Sequence, residues 1–322
     1  MKVCVMGLIQ SPLCEMLGIE YPVIQGGMAW IADAPLAAAV SNGGGLGLIS
    51  AMNADADWLR QEIRKAKTMT DKPFGVNIML MSPFVDDVAR VVVEEGVRVI
   101  TTGAGNPGKY MKLWQDAGIC VLPVVASVAL ARLVVRSGAP AVIAEGSESG
   151  GHIGETTTMA LVPQVADAVP VPVIAAGGIA DGRGLAAALM LGASGVQMGT
   201  RFLVAKECTV HPNYKQKVLK ARDIDTIATG KRLGHPVRSL KNAYSRDYFK
   251  KEYDSSVSDV DLEALGGGAL YRAAKEGDEK NGCFLAGQVA GMVRQEQPAA
   301  EIIREVCDEA EQQLRGATQW VS

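Results

Sequence analysis

One histidine in this sequence lies inside a glycine-rich turn. His152 belongs to the segment Ser149-Gly150-Gly151-His152-Ile153-Gly154, which follows an apolar, strand-like run ending near Ile143. Because glycine has no Cβ, backbone and imidazole could both approach a flat or phosphorylated ligand here. A histidine also exchanges protons near neutral pH. A surface turn with an incidental histidine explains this segment equally well, so the choice depends on the remaining sequence.

Two further turns carry small residues suited to a phosphate group. Gly177-Gly178 follows one apolar run, and Gln197-Met198-Gly199-Thr200 ends the next. Backbone N–H groups at such turns bind phosphate, aided by a helix N-terminus. Each glycine turn alone is a weak signal. Their occurrence at consecutive strand ends predicts a phosphate-bearing cofactor.

A planar group attached to that phosphate would need a flat floor and a polar edge. Gly27 and Met28 let the backbone lie against a ring, and the Asn77 amide can both donate and accept hydrogen bonds. Asn77 alone is equally typical of a turn-stabilising residue. Together with the phosphate turns, these residues predict flavin mononucleotide (FMN), with His152 reaching it from the side.

Eight apolar runs alternate with amphipathic helices and must position these turns. Alternation of strand and helix predicts parallel pairing through right-handed crossovers. Eight units predict an α/β fold, the (β/α)8 TIM barrel, whose functional residues gather at the C-terminal strand ends. A doubly wound sheet is the alternative, but residues 25–30 lack its G-x-G-x-x-G turn. The runs are Tyr21–Gln25, Gly45–Ile49, Phe74–Ile78, Val97–Thr102, Ile119–Val124, Ala141–Glu145, Val171–Ala176 and Gly195–Met198.

The alternation stops after the eighth run. Residues 211–281 are polar, charged and interrupted by glycine, which predicts a small helical cap inserted after strand eight. Two amphipathic helices, Phe284–Gln295 and Ala299–Gly316, are expected to close the chain. We therefore predict an N-terminal extension at residues 1–16 that begins as a short leader or a disordered segment. The FMN-binding barrel is expected at 17–210 and 282–322.

Composition argues against several classes of protein. The six cysteines and three histidines form no pattern typical of a metal site. Scattered cysteines in a chain of this length predict reduced thiols and a cytoplasmic location. The sequence contains no run of about eighteen apolar residues, so we predict no membrane span. An acidic chain whose basic run lacks interleaved aromatic residues is not typical of a nucleic-acid-binding protein.

Positive charge is concentrated in one part of the chain. The net charge is −3, yet the segment Lys206–Lys241 holds nine Lys or Arg against three acids. A local basic patch on an acidic protein favours an acidic partner. A solvated helical face would produce the same composition.

Several long segments resemble the flavin-dependent enoyl-[acyl-carrier-protein] reductases of the FabK family. That family is closely related to the nitronate monooxygenases, also called 2-nitropropane dioxygenases. The resemblance extends from about Leu17 to the last helix. Nitronate monooxygenases usually carry Gln seven residues before the histidine, and Glu145 at that place resembles the reductases. The resemblance is carried by Tyr21–Trp30, Lys72–Leu80, Thr101–Pro107, Ala144–Gly146, Ser149–Gly154 and His211–Lys215.

The resemblance implies FMN-dependent reduction of trans-2-enoyl thioesters in type II fatty acid synthesis. The reductant would be NADH or NADPH, the partner an acidic acyl carrier protein, and the assembly a homodimer; a role for a monovalent cation is left open. The alternative is a nitronate monooxygenase that oxidises nitroalkanes with FMN and oxygen. His152 would be catalytic. The implied cofactor residues are Gly27, Met28, Asn77, Glu145, Gly150, Gly151, Gly177, Gly178, Gln197, Met198, Gly199 and Thr200.

Overall fold

Strands and helices alternate along the chain in the computed structural model, which describes residues 9–52 and 54–320. All eight predicted strands are present within two residues of their predicted bounds. The strands are Val23–Gln25, Gly47–Ser50, Phe74–Met79, Val99–Gly103, Cys120–Val125, Val142–Glu145, Val173–Ala176 and Gly195–Met198. The connecting helices are Ala34–Asn42, Ala56–Met69, Val85–Glu94, Gly108–Asp116, Val128–Arg136, Thr158–Ala168 and Gly182–Met190.

The eight strands form one parallel sheet that curls into a nearly closed barrel. Each strand pairs with its neighbour in the barrel sequence, and the last strand pairs with the first. Between the first and second strands, Ile24 forms a parallel bridge with Leu46, and the Gln25 amide donates to the Leu46 carbonyl at 2.9 Å. The predicted (β/α)8 TIM barrel is confirmed.

Each barrel strand is buried on both sides, and its side chains are accordingly apolar on both faces. One set of side chains fills the barrel interior, and the alternating set packs against the surrounding helices. Gly47 shows how close that packing is, since a Cβ there would lie 1.9 Å from the Ala37 carbonyl oxygen. Interior residues include Leu48, Val99, Leu122, Ile143 and Ile174, and their outward-facing neighbours are Ile49, Ile100, Val121, Val142 and Val173.

Short helical segments complete the two ends of the chain. Helix Pro12–Leu17 lies mostly within the predicted extension, and its Leu13 packs in the interior cluster against Gly195. Residues 1–8, the proposed leader, lie outside the described residues. Helix Ala299–Gly316 is present as predicted. The predicted helix Phe284–Gln295 is wrong, because only Gln288–Met292 forms a short 3-10 turn.

The cap contains a β-ribbon as well as helices. Its strands are Thr226–Thr229 and Val237–Leu240, and the second pairs antiparallel with Gly151–His152. The cap was expected to be helical, and this ribbon was not predicted. Ser239 also bridges to Leu285, which holds Phe284 and Leu285 extended and explains the missing helix. The cap helices are Pro212–Leu219, Ala243–Glu252, Asp259–Gly266 and Ala269–Tyr271, followed by a π-helical turn at Arg272–Glu276.

Neither a membrane span nor a metal cluster occurs among the described residues. None of the helices there has the length and hydropathy needed to cross a bilayer. Within the same ranges, no three His, Cys, Asp or Glu residues come together as a group able to hold a metal ion.

Candidate active site

A cavity of about 430 Å³ opens where the barrel strands end and the cap begins. Every residue predicted to bind the cofactor lines this cavity, and so does His152. The barrel accounts for this convergence, because the turns that follow parallel strands all meet at the same end. Their roles toward a cofactor stay predictions, whereas their position in one cavity is a property of the fold.

The turn after the seventh strand has a backbone that favours glycine. Gly177 and Gly178 have φ angles of +85° and +73°. A Cβ on Gly177 would also lie 2.7 Å from the carbonyl oxygen of Gly146. The Thr158 hydroxyl donates to the Gly177 carbonyl at 2.9 Å and secures the turn. Successive glycines of this kind present backbone N–H groups to an anion.

The turn after the eighth strand lies on the same cavity. The Gly199 backbone is accessible from the cavity, because a Cβ placed there would meet only the Met28 side chain within 4 Å. The Thr200 hydroxyl accepts a hydrogen bond from the Gly287 amide at 2.9 Å. Its own proton is therefore free to be donated to a phosphate oxygen.

The first and third strands supply a flat floor and a fixed amide. A Cβ on Gly27 would lie 2.3 Å from the Cβ of Asn77, so only glycine fits against this side chain. The Asn77 Oδ1 atom accepts from the Thr101 hydroxyl at 2.8 Å, which leaves the amide nitrogen available to a ligand.

Gln197 leaves a buried polar atom without a partner. Its Oε1 atom is buried and makes no hydrogen bond with the described residues, and Gly26 packs beside the same side chain. Such an atom costs free energy unless a ligand pairs with it. The glycine turns, the floor at Gly27 and this unpaired oxygen fit a phosphorylated planar group such as FMN.

Glu145 ends the sixth strand at the edge of the cavity. Burial raises the pKa of its carboxyl group to about 7, and an interaction with the Ser149 hydroxyl acts in the opposite direction. Near neutral pH this carboxyl group therefore keeps its proton in a substantial fraction of molecules. A protonated carboxyl group can donate a hydrogen bond as well as accept one.

We expect Glu145→Gln to stabilise the protein more at pH 8 than at pH 5. The unfolded chain loses this proton near pH 4.5 and the folded protein near pH 7, so the free energy of unfolding falls as pH rises between these values. The loss is at most about 3.5 kcal/mol, at about 1.4 kcal/mol for each of about 2.5 pKa units. Urea unfolding at both pH values measures it. Glu155→Gln, an exposed change in the same loop, is the control; equal gains at both pH values would contradict the burial.

His152 is held at the edge of the cavity by the cap. It pairs with Val237, and the next amide, that of Ile153, donates to the Pro236 carbonyl at 3.0 Å. The residue is exposed toward the cavity. Partial burial of the ring lowers the pKa of His152 below its ordinary value, and the charge of His235 lowers it further. A neutral imidazole can donate from one nitrogen and accept at the other.

The structure adds cavity residues that the sequence did not suggest. Glu148 accepts a hydrogen bond from the Thr158 amide at 2.9 Å and so ties the His152 loop to the next helix. Leu285 and Gly287 come from the segment wrongly predicted as helix. No local pattern marked them, since the ribbon brings them there. The remaining wall is apolar and includes Met52, Met79, Val124, Leu130 and Leu270.

The fold is a (β/α)8 barrel whose cavity, with its glycine turns and unpaired Gln197 oxygen, has the lining that a phosphorylated planar cofactor would need. The nitronate monooxygenase family model matches residues 10–309, and this chain belongs to that family. The names of its relatives are those of oxidoreductases, and the chain is an oxidoreductase by family.

Three proteins named for different activities are similar to this chain. FabK from Thermotoga maritima is similar in structure, with a TM-score of 0.95 and 48% identity over 97% of this chain and 100% of that one. A probable nitronate monooxygenase from Staphylococcus saprophyticus is 33% identical over 89% of this chain and 94% of its own length. The third, from Mycobacterium tuberculosis, is a 5-hydroxy-7a-methyl-1-oxo-octahydro-1H-indene-4-carboxyl-CoA dehydrogenase. It is 43% identical over 72% of this chain, and the match spans 66% of its own length.

Proposed function

We propose that this protein is an FMN-dependent enoyl-[acyl-carrier-protein] reductase. It would reduce trans-2-enoyl thioesters with NADH or NADPH in fatty acid biosynthesis, as a cytoplasmic homodimer. The observation that carries the proposal is the match to FabK along almost the full length of both chains. The relative named for an acyl-CoA substrate supports a thioester as the substrate class.

The residues of the cavity divide into binding and proton-handling groups. Bound FMN would supply the hydride chemistry between the nicotinamide and the β-carbon of the enoyl thioester. Gly177, Gly178 and Thr200 would hold its phosphate, and Asn77 and Gln197 would meet the polar edges of its ring. The apolar wall would exclude water from the acyl chain.

His152 would act on the thioester itself. Reduction at the β-carbon places negative charge on the thioester carbonyl oxygen, and the α-carbon must gain a proton. The imidazole, exposed to the cavity, can donate a hydrogen bond to that oxygen or deliver the proton. Its backbone is held by pairing with Val237 of the ribbon.

An anaerobic flavin assay tests this function. The purified yellow protein is first reduced with NADH or NADPH, and crotonyl or octenoyl thioester is then added while the flavin absorbance is followed. Reoxidation by the enoyl thioester supports the reductase. Reduced flavin that the enoyl thioester fails to reoxidise without oxygen, together with reduction of the oxidised flavin by a nitronate, would overturn it.

The second candidate is a nitronate monooxygenase. It is favoured by the family model and by the staphylococcal relative, which aligns along most of both chains. In this reaction the same imidazole would take the α-proton from a nitroalkane. A neutral His152 suits that role, because a base must first be unprotonated.

The basic segment bears on the proposed partner, acyl carrier protein. Four of its nine cations form ion pairs within the protein: Lys215, Lys217, Arg222 and Arg232. Lys220 and Lys241 are exposed and form no ion pair with described residues, and they border a second cavity in the cap. Lys206 and Lys231 are likewise exposed and form no ion pair with described residues, but they do not border that cavity. We propose Lys220 and Lys241 as the pair that meets an acidic protein.

We expect the rate with a carrier-bound substrate to fall as ionic strength rises, and to fall less with a coenzyme A thioester. Exposed charges act through long-range attraction that salt screens. Changing Lys220 and Lys241 together to Gln should reduce the salt dependence for the carrier-bound substrate. Lys72→Gln, at the opposite end of the barrel, is the control. Equal salt slopes for both substrates would argue against this surface.

A further inference from the structure

The cavity has two halves of different chemistry on opposite sides of the barrel. The seventh and eighth strands contribute the glycine turns and Thr200. In a ring of eight strands, the fourth strand lies across from the eighth. Asn77 is the only polar side chain among the described residues that the second to fifth strands, and the segments after them, contribute to the lining. This second half is therefore apolar, with Met52, Met79, Val124 and Leu130 among its residues.

Gly103 ends the fourth strand and leaves an unfilled position in the apolar half. Side chains alternate along a strand, so residues 101 and 103 share a face. The Thr101 hydroxyl donates to the Asn77 Oδ1 atom at 2.8 Å, and Asn77 lines the cavity, so this face is the one directed toward the cavity. A Cβ placed on Gly103 would have no atom of the described residues within 4 Å. The missing side chain therefore leaves open space in the cavity.

Apolar side chains border this space on both neighbouring strands. Met79 is the register partner of Gly103 on the third strand. Thr102 pairs with Pro123, so Val124 lies next to Gly103 on the fifth strand. Met79 and Val124 are half-buried and line the cavity. We call the space bounded by Met79, Gly103 and Val124 the Gly103 groove.

The turn after the fourth strand leaves the outer end of the Gly103 groove uncovered. Ala104 has a φ of +59°, which is uncommon for a residue other than glycine. The Leu80 amide donates to the Gly103 carbonyl at 3.0 Å and secures the start of the turn. Ala104 and Gly105 are exposed and small, and both line the cavity. A long ligand group in the groove could therefore extend past this turn toward solvent.

The loop that carries His152 reaches the same half of the cavity. A Cβ on Gly154 would lie 2.7 Å from the Ala126 Cβ, so this loop packs directly on the segment that follows the fifth strand. Ile153, between His152 and Gly154, also lines the cavity. A ligand whose reacting carbon lies beside the imidazole would therefore have the Gly103 groove next to it.

We propose that the Gly103 groove binds the linear alkyl chain of the substrate, and that Gly103 is a specificity-determining residue for chain length. A hydrocarbon chain gains from leaving water and needs no polar partner, whereas a polar group in this groove would lose its hydrogen bonds. Each methylene group moved from water into an apolar site improves binding by about fourfold. An enoyl thioester and a nitroalkane can both carry such a chain. The identity of the substrate rests on the proposed function, whereas the groove does not.

Calorimetric titration of the purified holoprotein with butyryl- and octanoyl-coenzyme A tests the groove. These probes differ by four methylene groups, so wild type should bind the octanoyl probe at least about tenfold more tightly. Gly103→Ala, Gly103→Val and Gly103→Leu should reduce this preference in that order, and the leucine should remove most of it by filling the groove. Gly103 lies outside the left-handed backbone region, so all three variants are expected to fold.

Gly266→Leu is the matched control, because Gly266 is exposed in the cap and a Cβ there also has no described atom within 4 Å. It should keep the wild-type preference for the octanoyl probe. FMN affinity should be unchanged in the Gly103 variants, since the predicted phosphate site lies across the barrel. An octanoyl preference that survives in Gly103→Leu, or an equal weakening of both probes, would overturn the proposal.

Turnover measurements separate this inference from the proposed function. Wild type and Gly103→Leu are compared on crotonyl and octenoyl thioesters with NADH or NADPH, and on nitroethane and 1-nitrohexane with oxygen. A preference for the longer chain that appears only with the nitroalkanes, and is lost in Gly103→Leu, would retain the groove and overturn the reductase. If neither coenzyme A probe binds, the nitroalkane pair decides. A wild type that prefers the longer chain in none of these series would overturn the groove.

Discussion

Replacing His152 with alanine is expected to lower turnover by about 10²- to 10⁴-fold, the usual contribution of a positioned acid or base. FMN occupancy should change little, because the contacts expected to hold the phosphate come from Gly177, Gly178 and Thr200 and not from the His152 side chain. Steady-state kinetics and the flavin-to-protein absorbance ratio measure the two effects. Turnover that survives intact would remove His152 from the chemistry.

The control for this variant is a neighbouring change that leaves the imidazole in place. Glu155→Ala alters an exposed residue of the same loop. It should retain wild-type turnover and flavin content. A comparable loss in Glu155→Ala would mean that the loop as a whole is sensitive and that the imidazole has no special role.

Gly177→Ala is expected to reduce FMN affinity by at least about tenfold, which corresponds to about 1.4 kcal/mol. The alanine must adopt a φ of +85° and would place its Cβ 2.7 Å from the Gly146 carbonyl oxygen, so the turn has to move. Movement redirects the N–H groups expected to face the phosphate. Flavin fluorescence during titration of the flavin-stripped protein measures the affinity.

A variant at a second glycine separates the effect of backbone strain from the loss of the predicted phosphate site. Gly96 has a φ of +62°, yet a Cβ there has nothing within 4 Å. Gly96→Ala therefore costs the left-handed backbone strain alone, about 1–2 kcal/mol, with no change expected in FMN affinity. If both variants lose FMN equally, general destabilisation explains the loss and the predicted phosphate site at Gly177 is wrong.

The barrel and the cavity residues at its strand ends could be predicted because both follow from local pattern. Apolar runs such as Phe74–Met79 are buried on both faces and alternate with helices, which restricts the topology to very few choices. Once the barrel is assumed, the residues that end each strand must converge. Asn77 and Gly177 are far apart in sequence and line the same cavity for this reason.

Local sequence pattern is enough to set the eight-fold repeat, the end of the barrel that carries the site, and the residue types available there. How His152 is held, and which charges surround it, depends instead on long-range packing. Its strand partner Val237 lies in the distant cap, and the four-residue ribbon strands and extended Leu285 owe their conformation to that pairing. Short strands that form only against distant partners leave no periodic signal, because the hydrogen bonds that stabilise them are not local. The same holds for the pKa of Glu145, which is set by the protein packed around the carboxyl group.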